Sequence, residues 1–147
     1  MKVNAAMTED VRLVKPETTI REAAQLMAKI DCGALPVSDH DRLVGMITDR
    51  DIAVRAVAEG KSPHTKVKDV MSREILYCFD DQELDDVAWN MGQNQVRRLP
   101  VLNHDKRLVG ILSLGDVARR EEDSASVGEA VSQVCEPGGK HSQAAAH

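Results

Sequence analysis

One stretch of this chain is written twice. GALPVSDHDRLVGMITDRDIAVR, opening at Gly33, and RRLPVLNHDKRLVGILSLGDVARR, opening at Arg97, carry a single pattern. Leu35, Pro36, Val37, His40 and Asp41 recur 64 positions later as Leu99, Pro100, Val101, His104 and Asp105. After one inserted residue, Arg42, Leu43, Val44, Gly45 and Asp51 recur 65 positions later as Arg107, Leu108, Val109, Gly110 and Asp116. An insertion at that point marks a surface turn. A repeat of this length is one supersecondary unit, too small to bury both faces of its own sheet, so the second copy is a structural requirement.

The correspondence runs upstream. Met7-Thr8 matches Met71-Ser72, and Ile20, Ala23, Ala24 and Met27 match Leu84, Val87, Ala88 and Met91. Both apolar stripes follow the i, i+3, i+4, i+7 spacing of an amphipathic helix. Extended segments over 11–14 and 75–79 precede them, and two apolar runs, around LPV and around RLVGMI or RLVGIL, follow. Closing helices begin at Thr48 and Ser113. Each copy therefore reads β-α-β-β-α, an α/β (α+β) fold of two repeats packed with pseudo-two-fold symmetry. The repeats span 3–60 and 68–122, joined by a charged connector over 61–67 next to Gly60 and Pro63. In the remainder, 123–147, Ser126-x-x-Glu129 reads as a capping box opening a helix with Val127, Ala130, Val131 and Val134 on one face. The stretch after Pro137 has nothing to bury and is expected to be a flexible tail.

Composition narrows the function. A net charge of −5 and only three aromatic side chains (Tyr77, Phe79, Trp89) leave neither a basic footprint nor a stacking platform for nucleic acid. No apolar run approaches a membrane span and the opening residues lack a signal-peptide core, so a cytoplasmic protein is expected. Cys32, Cys78 and Cys135 form no CxxC pair and the histidines no HxxxH pattern, so no metal is assigned. A nucleophile with its base, a metal set, a GxGxxG and a P-loop are all missing, which argues against an enzyme.

Thr48-Asp49-Arg50-Asp51 and Ser113-Leu114-Gly115-Asp116 stand where a glycine-containing strand enters a helix. There a hydroxyl can meet a phosphate oxygen, and a carboxylate one turn on can accept the hydroxyls of a ribose. The same [ST]-x-x-[DE] pattern is also an ordinary capping box worth about 1 kcal/mol, and the two readings are compatible. Arg97 and Arg98 precede the second LPV strand and suit a ligand phosphate, whereas the first copy has Gly33 and Ala34. Unequal sites follow, the second favouring more anionic ligands. Arg55 and Arg120, four residues after each motif aspartate, are expected to form i, i+4 ion pairs with Asp51 and Asp116.

With both G-h-h-[ST]-x-x-D signatures (GMITDRD and GILSLGD, h hydrophobic) and both LPV strands, residues 3 to 122 resemble the tandem cystathionine-beta-synthase (CBS) domain pair, or Bateman module. GALPV, GMITDRDI and QVRRLPV are similar to the small free-standing bacterial members of the hypoxic response protein type. The resemblance implies a regulatory module that binds an adenine nucleotide (AMP, ADP, ATP or NAD) in clefts between the repeats and modulates a protein partner. The alternative within the family is a dimerising scaffold that binds no ligand. It further implies that Asp51 and Asp116 hold ribose and that Thr48 and Ser113 contact phosphate. Thr65 and Val96, with Val3 and Cys32 at matching places in the first copy, border the adenine. Gly33 and Ala34, together with the negative charge of Asp49, weaken the first site. Members commonly form homodimers, for which the apolar helix faces opening near Ile20 and Leu84 are expected to supply the contact.

Overall fold

The computed structural model describes residues 1–120 and 124–135. In chain order the elements are a one-turn helix α1 (Val3–Ala6), helix α2 (Ile20–Ile30), strands β1 (Ala34–Asp39) and β2 (Arg42–Thr48), and helix α3 (Asp49–Asp51). Helix α3 runs on as a π-helical turn (Ile52–Val57), and a 3-10 turn follows (Val67–Asp69). Then come β3 (Cys78–Phe79), α4 (Leu84–Asn94), β4 (Arg98–Leu102), β5 (Leu108–Ser113), α5 (Leu114–Arg120) and α6 (Ser124–Val134). They form two compact units. The N-unit is Arg12–Leu76 with Lys106–Leu108, and the C-unit is Met1–Val11, Tyr77–Asp105 and the described residues from Val109 onward.

In the N-unit, Thr19 caps α2: its hydroxyl accepts the Glu22 N–H at 3.1 Å and donates to the Glu22 carboxylate at 3.0 Å. The helix ends on Asp31 in the left-handed region, φ 54°, a position that Asp tolerates better than most side chains. Of the expected stripe, Ile20, Ala23 and Met27 face inward and join Leu35, Val37, Ile47, Ala56, Val67 and Val70 in one core, whereas Ala24 is exposed. Strands β1 and β2 pair antiparallel through a two-residue turn, His40-Asp41, with both residues at positive φ, which matches the twist of a hairpin. The extended segment over 11–14 shrinks to a single bridge, Val14 with Val37. Pro16 has no N–H with which to continue a ladder.

The C-unit repeats the plan with a three-stranded sheet, β3-β4-β5. The extended segment over 75–79 contracts to Cys78 and Phe79, parallel to Val101 and Leu102. Leu84, Val87, Ala88 and Met91 of α4 pack with Leu99, Val101, Leu112, Val117 and, from α6, Ala130. Helix α6 is already helical at Ser124, ahead of the Ser126 expected to open it. Ala125 and Ala130 line one groove against α4. The expectation for the tail after Pro137 lies outside the described residues.

Each unit receives the leading turn of the other sequence copy. Val3 and Asn4 N–H groups donate to the Gln82 and Asp80 carbonyls in the C-unit, and Val67 and Lys68 N–H groups donate to Thr18 and Pro16 in the N-unit. The reciprocal bonds, Leu84 N–H to Met1 and Ile20 N–H to Thr65, close both arrangements. Val3 and Val67 are fully buried by this docking.

Candidate functional site

The two motif aspartates are held alike. Thr48 Oγ1 accepts the Asp51 N–H at 3.0 Å while Asp51 Oδ2 accepts the Thr48 N–H at 3.0 Å. In the C-unit, Ser113 Oγ accepts the Asp116 N–H at 3.0 Å and Asp116 Oδ2 accepts the Ser113 N–H at 2.9 Å. These are complete capping boxes, satisfying donors that a helix start otherwise leaves open. They also fix one carboxylate oxygen of each aspartate, on side chains only 16% and 10% exposed.

The second oxygens differ. Arg55 stands 3.9 Å from Asp51 Oδ1 while donating to the Val70 and Met71 carbonyls at 3.3 Å. In the C-unit Arg119, not Arg120, takes Asp116 Oδ1 at 2.6 Å, and Arg120 donates to the Ala5 carbonyl at 3.3 Å. Arg55 therefore keeps the expected i, i+4 ion pair with Asp51 while also fastening the docked leading turn of its unit, whereas Arg120 makes only the second kind of contact and leaves Asp116 to Arg119.

A second matched bond joins the strand entry to the helix. The Asp49 N–H donates to the Gly33 carbonyl at 2.9 Å, and the Leu114 N–H donates to the Arg97 carbonyl at 2.8 Å. Gly33 and Arg97 therefore lie beside the first helical residue of their units. Ala34 pairs with Thr48 across β1 and β2, and the Cys32 thiol donates to the Ala34 carbonyl at 2.8 Å. Cys32, Gly33, Ala34, Thr48 and Asp51 are thereby brought together in the N-unit. In the C-unit Arg97 and Arg98 are exposed, and Val96 is half-buried against the core.

The proposed pairing of Val3 with Thr65 fails. The docking bonds match Val3 to Val67 and Met1 to Thr65. Val3 is a fully buried core residue, while Thr65 sits at the start of α2, its hydroxyl donating to the Ser62 carbonyl at 2.6 Å. The helix stripes expected to supply a dimer contact are likewise spent in the cores. On α4 only Trp89, 55% exposed, is a large apolar side chain facing out.

One cluster escapes a reading by sequence spacing. Asp80, Asp81 and His104 bring donor atoms within 4.8 Å of one another, a set that could hold a divalent cation. His104 Nε2 and Asp81 Oδ2 already lie 2.6 Å apart, and the imidazole stacks on Phe79 with ring centroids 5.0 Å apart. The hydrogen bond and charge of Asp81 raise the His104 pKa, and the hydrogen bond from His104 lowers that of Asp81. Nearby, burial reinforced by Asp80 pushes the Cys78 thiol up to about 12. A groove of about 270 Å³ between α4 and α6, lined by Asp85, Trp89, Glu129 and Gln133 among others, contains none of the motif residues.

The CBS domain model matches the chain twice, over residues 3–57 and 67–123. The chain is 42% identical to the CBS domain-containing protein YhcV of Bacillus subtilis, covering 90% of this chain and 94% of that one. Hypoxic Response Protein I, whose crystal structure holds two coordinated zinc ions, superposes with a TM-score of 0.75 at 37% identity, over 82% of this chain and 98% of that one. CBSX2 in complex with AMP gives 0.71 at 30% identity, over 80% and 93%. The CBS domain pair of MJ0100, in complex with 5′-methylthioadenosine and S-adenosyl-L-methionine, gives 0.73 at 30%, over 81% and 98%. Both copies of the repeat are accounted for, and the chain belongs to the CBS-domain family as a tandem pair.

Proposed function

We propose that the protein is a regulatory module that binds an adenine nucleotide through the motif residues of each unit and transmits occupancy to a protein partner. The observation that carries this reading is the duplicated aspartate, pinned through one oxygen by its own capping box, with the second oxygen paired to an arginine of the same helix run. A carboxylate so fixed is preorganised to accept the paired hydroxyls of a ribose without losing further side-chain entropy. Ser113, with Arg97 and Arg98 in the C-unit, is assigned to the phosphate, and Thr48 to the 5′ substituent at the matching place in the N-unit, where Gly33 and Ala34 stand in for the two arginines. Cys32 in the N-unit and Val96 in the C-unit are assigned to the edge of the base. Support from relatives is the AMP bound by CBSX2 and the S-adenosyl compounds bound by the MJ0100 pair. Three free thiols suit the reducing cytoplasm, and a homodimer completes the proposal.

The completeness of the capping boxes without a ligand favours one rival, a scaffold whose motifs serve only to start helices. Thermal unfolding with AMP, ADP, ATP, NAD and GTP separates them. An adenine ligand at 100 times its dissociation constant stabilises the native state by about 2.7 kcal/mol. The gain is expected for adenine compounds and not for GTP, and is expected to fall mainly in Asp116→Ala and less in Asp51→Ala. A flat response in all of them, with both variants merely less stable, would establish the scaffold.

A further inference from the structure

The N-unit carries a carboxylate where its counterpart carries an arginine. A Cβ placed on Gly33 would lie 3.0 Å from Asp49 Oδ2, so the Asp49 carboxylate lies against the residue that matches Arg97 in the C-unit. The Asp49 N–H donates to the Gly33 carbonyl, and the side chain is held by Asp49 Oδ1 accepting the Arg50 N–H at 2.8 Å. Oδ2 is left facing Gly33. Among the described residues no cationic side chain pairs with Asp49, and the one cation near Asp51, Arg55, is engaged by two carbonyls. The C-unit has Leu114 in place of Asp49 and two exposed arginines at the strand entry.

We infer that Asp49 is a specificity-determining residue: the N-unit site takes adenine nucleosides whose 5′ substituent is neutral or cationic, a thioether or a sulfonium, and refuses a 5′-phosphate. This rests on the nucleotide-binding reading above. A phosphate beside Gly33 would stand next to an unpaired carboxylate of like charge, whereas a sulfonium there gains from it. Two ligands of different charge class can then occupy one chain together, AMP in the C-unit and a methylthio- or sulfonium nucleoside in the N-unit.

Calorimetric titration of the full chain tests this with AMP, 5′-methylthioadenosine and S-adenosylmethionine. In the native protein AMP is expected to fill one site, and protein saturated with AMP should still bind one equivalent of 5′-methylthioadenosine. Asp49→Asn keeps an acceptor for the Arg50 N–H and is exposed, so it is expected to fold. In it AMP should fill two sites, with at least about a tenfold gain at the second. The double variant R97A/R98A should lose AMP and keep 5′-methylthioadenosine. AMP filling both native sites, or an AMP preference that Asp49→Asn leaves within about twofold, overturns the assignment to Asp49. Binding of AMP with no binding of either sulfur nucleoside overturns the inference and leaves the nucleotide-sensing reading standing. Binding of none of the three removes both.

Discussion

At the scale of single residues, the chemistry singled out by the repeat is mostly backbone chemistry. Thr48 and Ser113 accept their helix donors, Asp51 and Asp116 return the bond, and none of these four is free to act before that work is done. His104 and Asp81 are different, an exposed pair bonded to each other outside any capping box. The imidazole pKa is raised above its usual 6.5 by the Asp81 hydrogen bond and charge. A group protonated more readily in the folded chain than in the unfolded one contributes stability below its ordinary pKa and loses it as pH rises through the raised value. Asp81, lowered by the same partner, contributes above the ordinary carboxylate range and loses its contribution as pH falls through the lowered pKa. The pair therefore works best in mildly acid solution, between those two ordinary values. NMR titration should find the His104 imidazole titrating at higher pH in the native chain than in Asp81→Asn; equal midpoints would mean that the pair does not form in solution. The residues of this pair stand 23 positions apart, which no motif spacing could show.

At the scale of elements, legibility followed burial. The stripes of α2 and α4 were readable because one face of each is core, and burial imposes a period on the sequence; the LPV strands, buried from Leu35 to Ser38 and from Leu99 to Leu102, were readable as apolar runs repeated in both copies. The leading strands were not, because a single bridge at Val14 and a two-residue pairing at Cys78 and Phe79 impose no period. The glycine of each signature has a reason the sequence only half disclosed. The Met-Ser or Met-Thr pair, recognised as a match, crosses that glycine: Met46 bridges Ser72 in the N-unit, and Ile111 bridges Thr8 in the C-unit. A Cβ on Gly45 would meet Met71 Sδ at 2.6 Å and the Ser72 carbonyl at 2.7 Å, and one on Gly110 would meet Met7 Sδ at 2.5 Å and the Thr8 carbonyl at 3.0 Å. The methionine can swing aside, but the carbonyl moves only with its backbone. Gly45→Ala and Gly110→Ala should each cost about 1–3 kcal/mol in denaturant unfolding, Gly45→Ala more because its carbonyl is nearer. Two neutral substitutions would show that the crossing is loose.

At the scale of the whole molecule, the copies of the sequence and the compact units of the fold are not the same partition. Residues 1–11 belong with the unit built from Tyr77 onward, and the turn around Val67 belongs with the unit built from Arg12. A sequence repeat reports which segments resemble one another and carries no information about which copy a segment docks on, so this exchange was illegible however strong the repeat. It gives residues near the amino terminus an effect far along the chain. Val3 is fully buried among Leu84, Val87, Met91 and Val117, and Val3→Ala removes two methyl groups from that core for about 1–3 kcal/mol. The loss should be local in space but distant in sequence. Hydrogen exchange should show weakened protection at Leu99, Val101 and Leu112, while Leu35, Val37 and Ile47, nearer in sequence, keep more of theirs. Val67→Ala should produce the mirror pattern, loosening residues 35–47 and sparing 99–112. Loosening of the same residues by both variants would mean that the two units open as one cooperative body; the mirror pattern would mean that each docked turn holds its own unit. In the second case a ligand that tightens one motif could change the stability of one unit without changing the other, which is what a module with two unlike sites needs in order to report two signals.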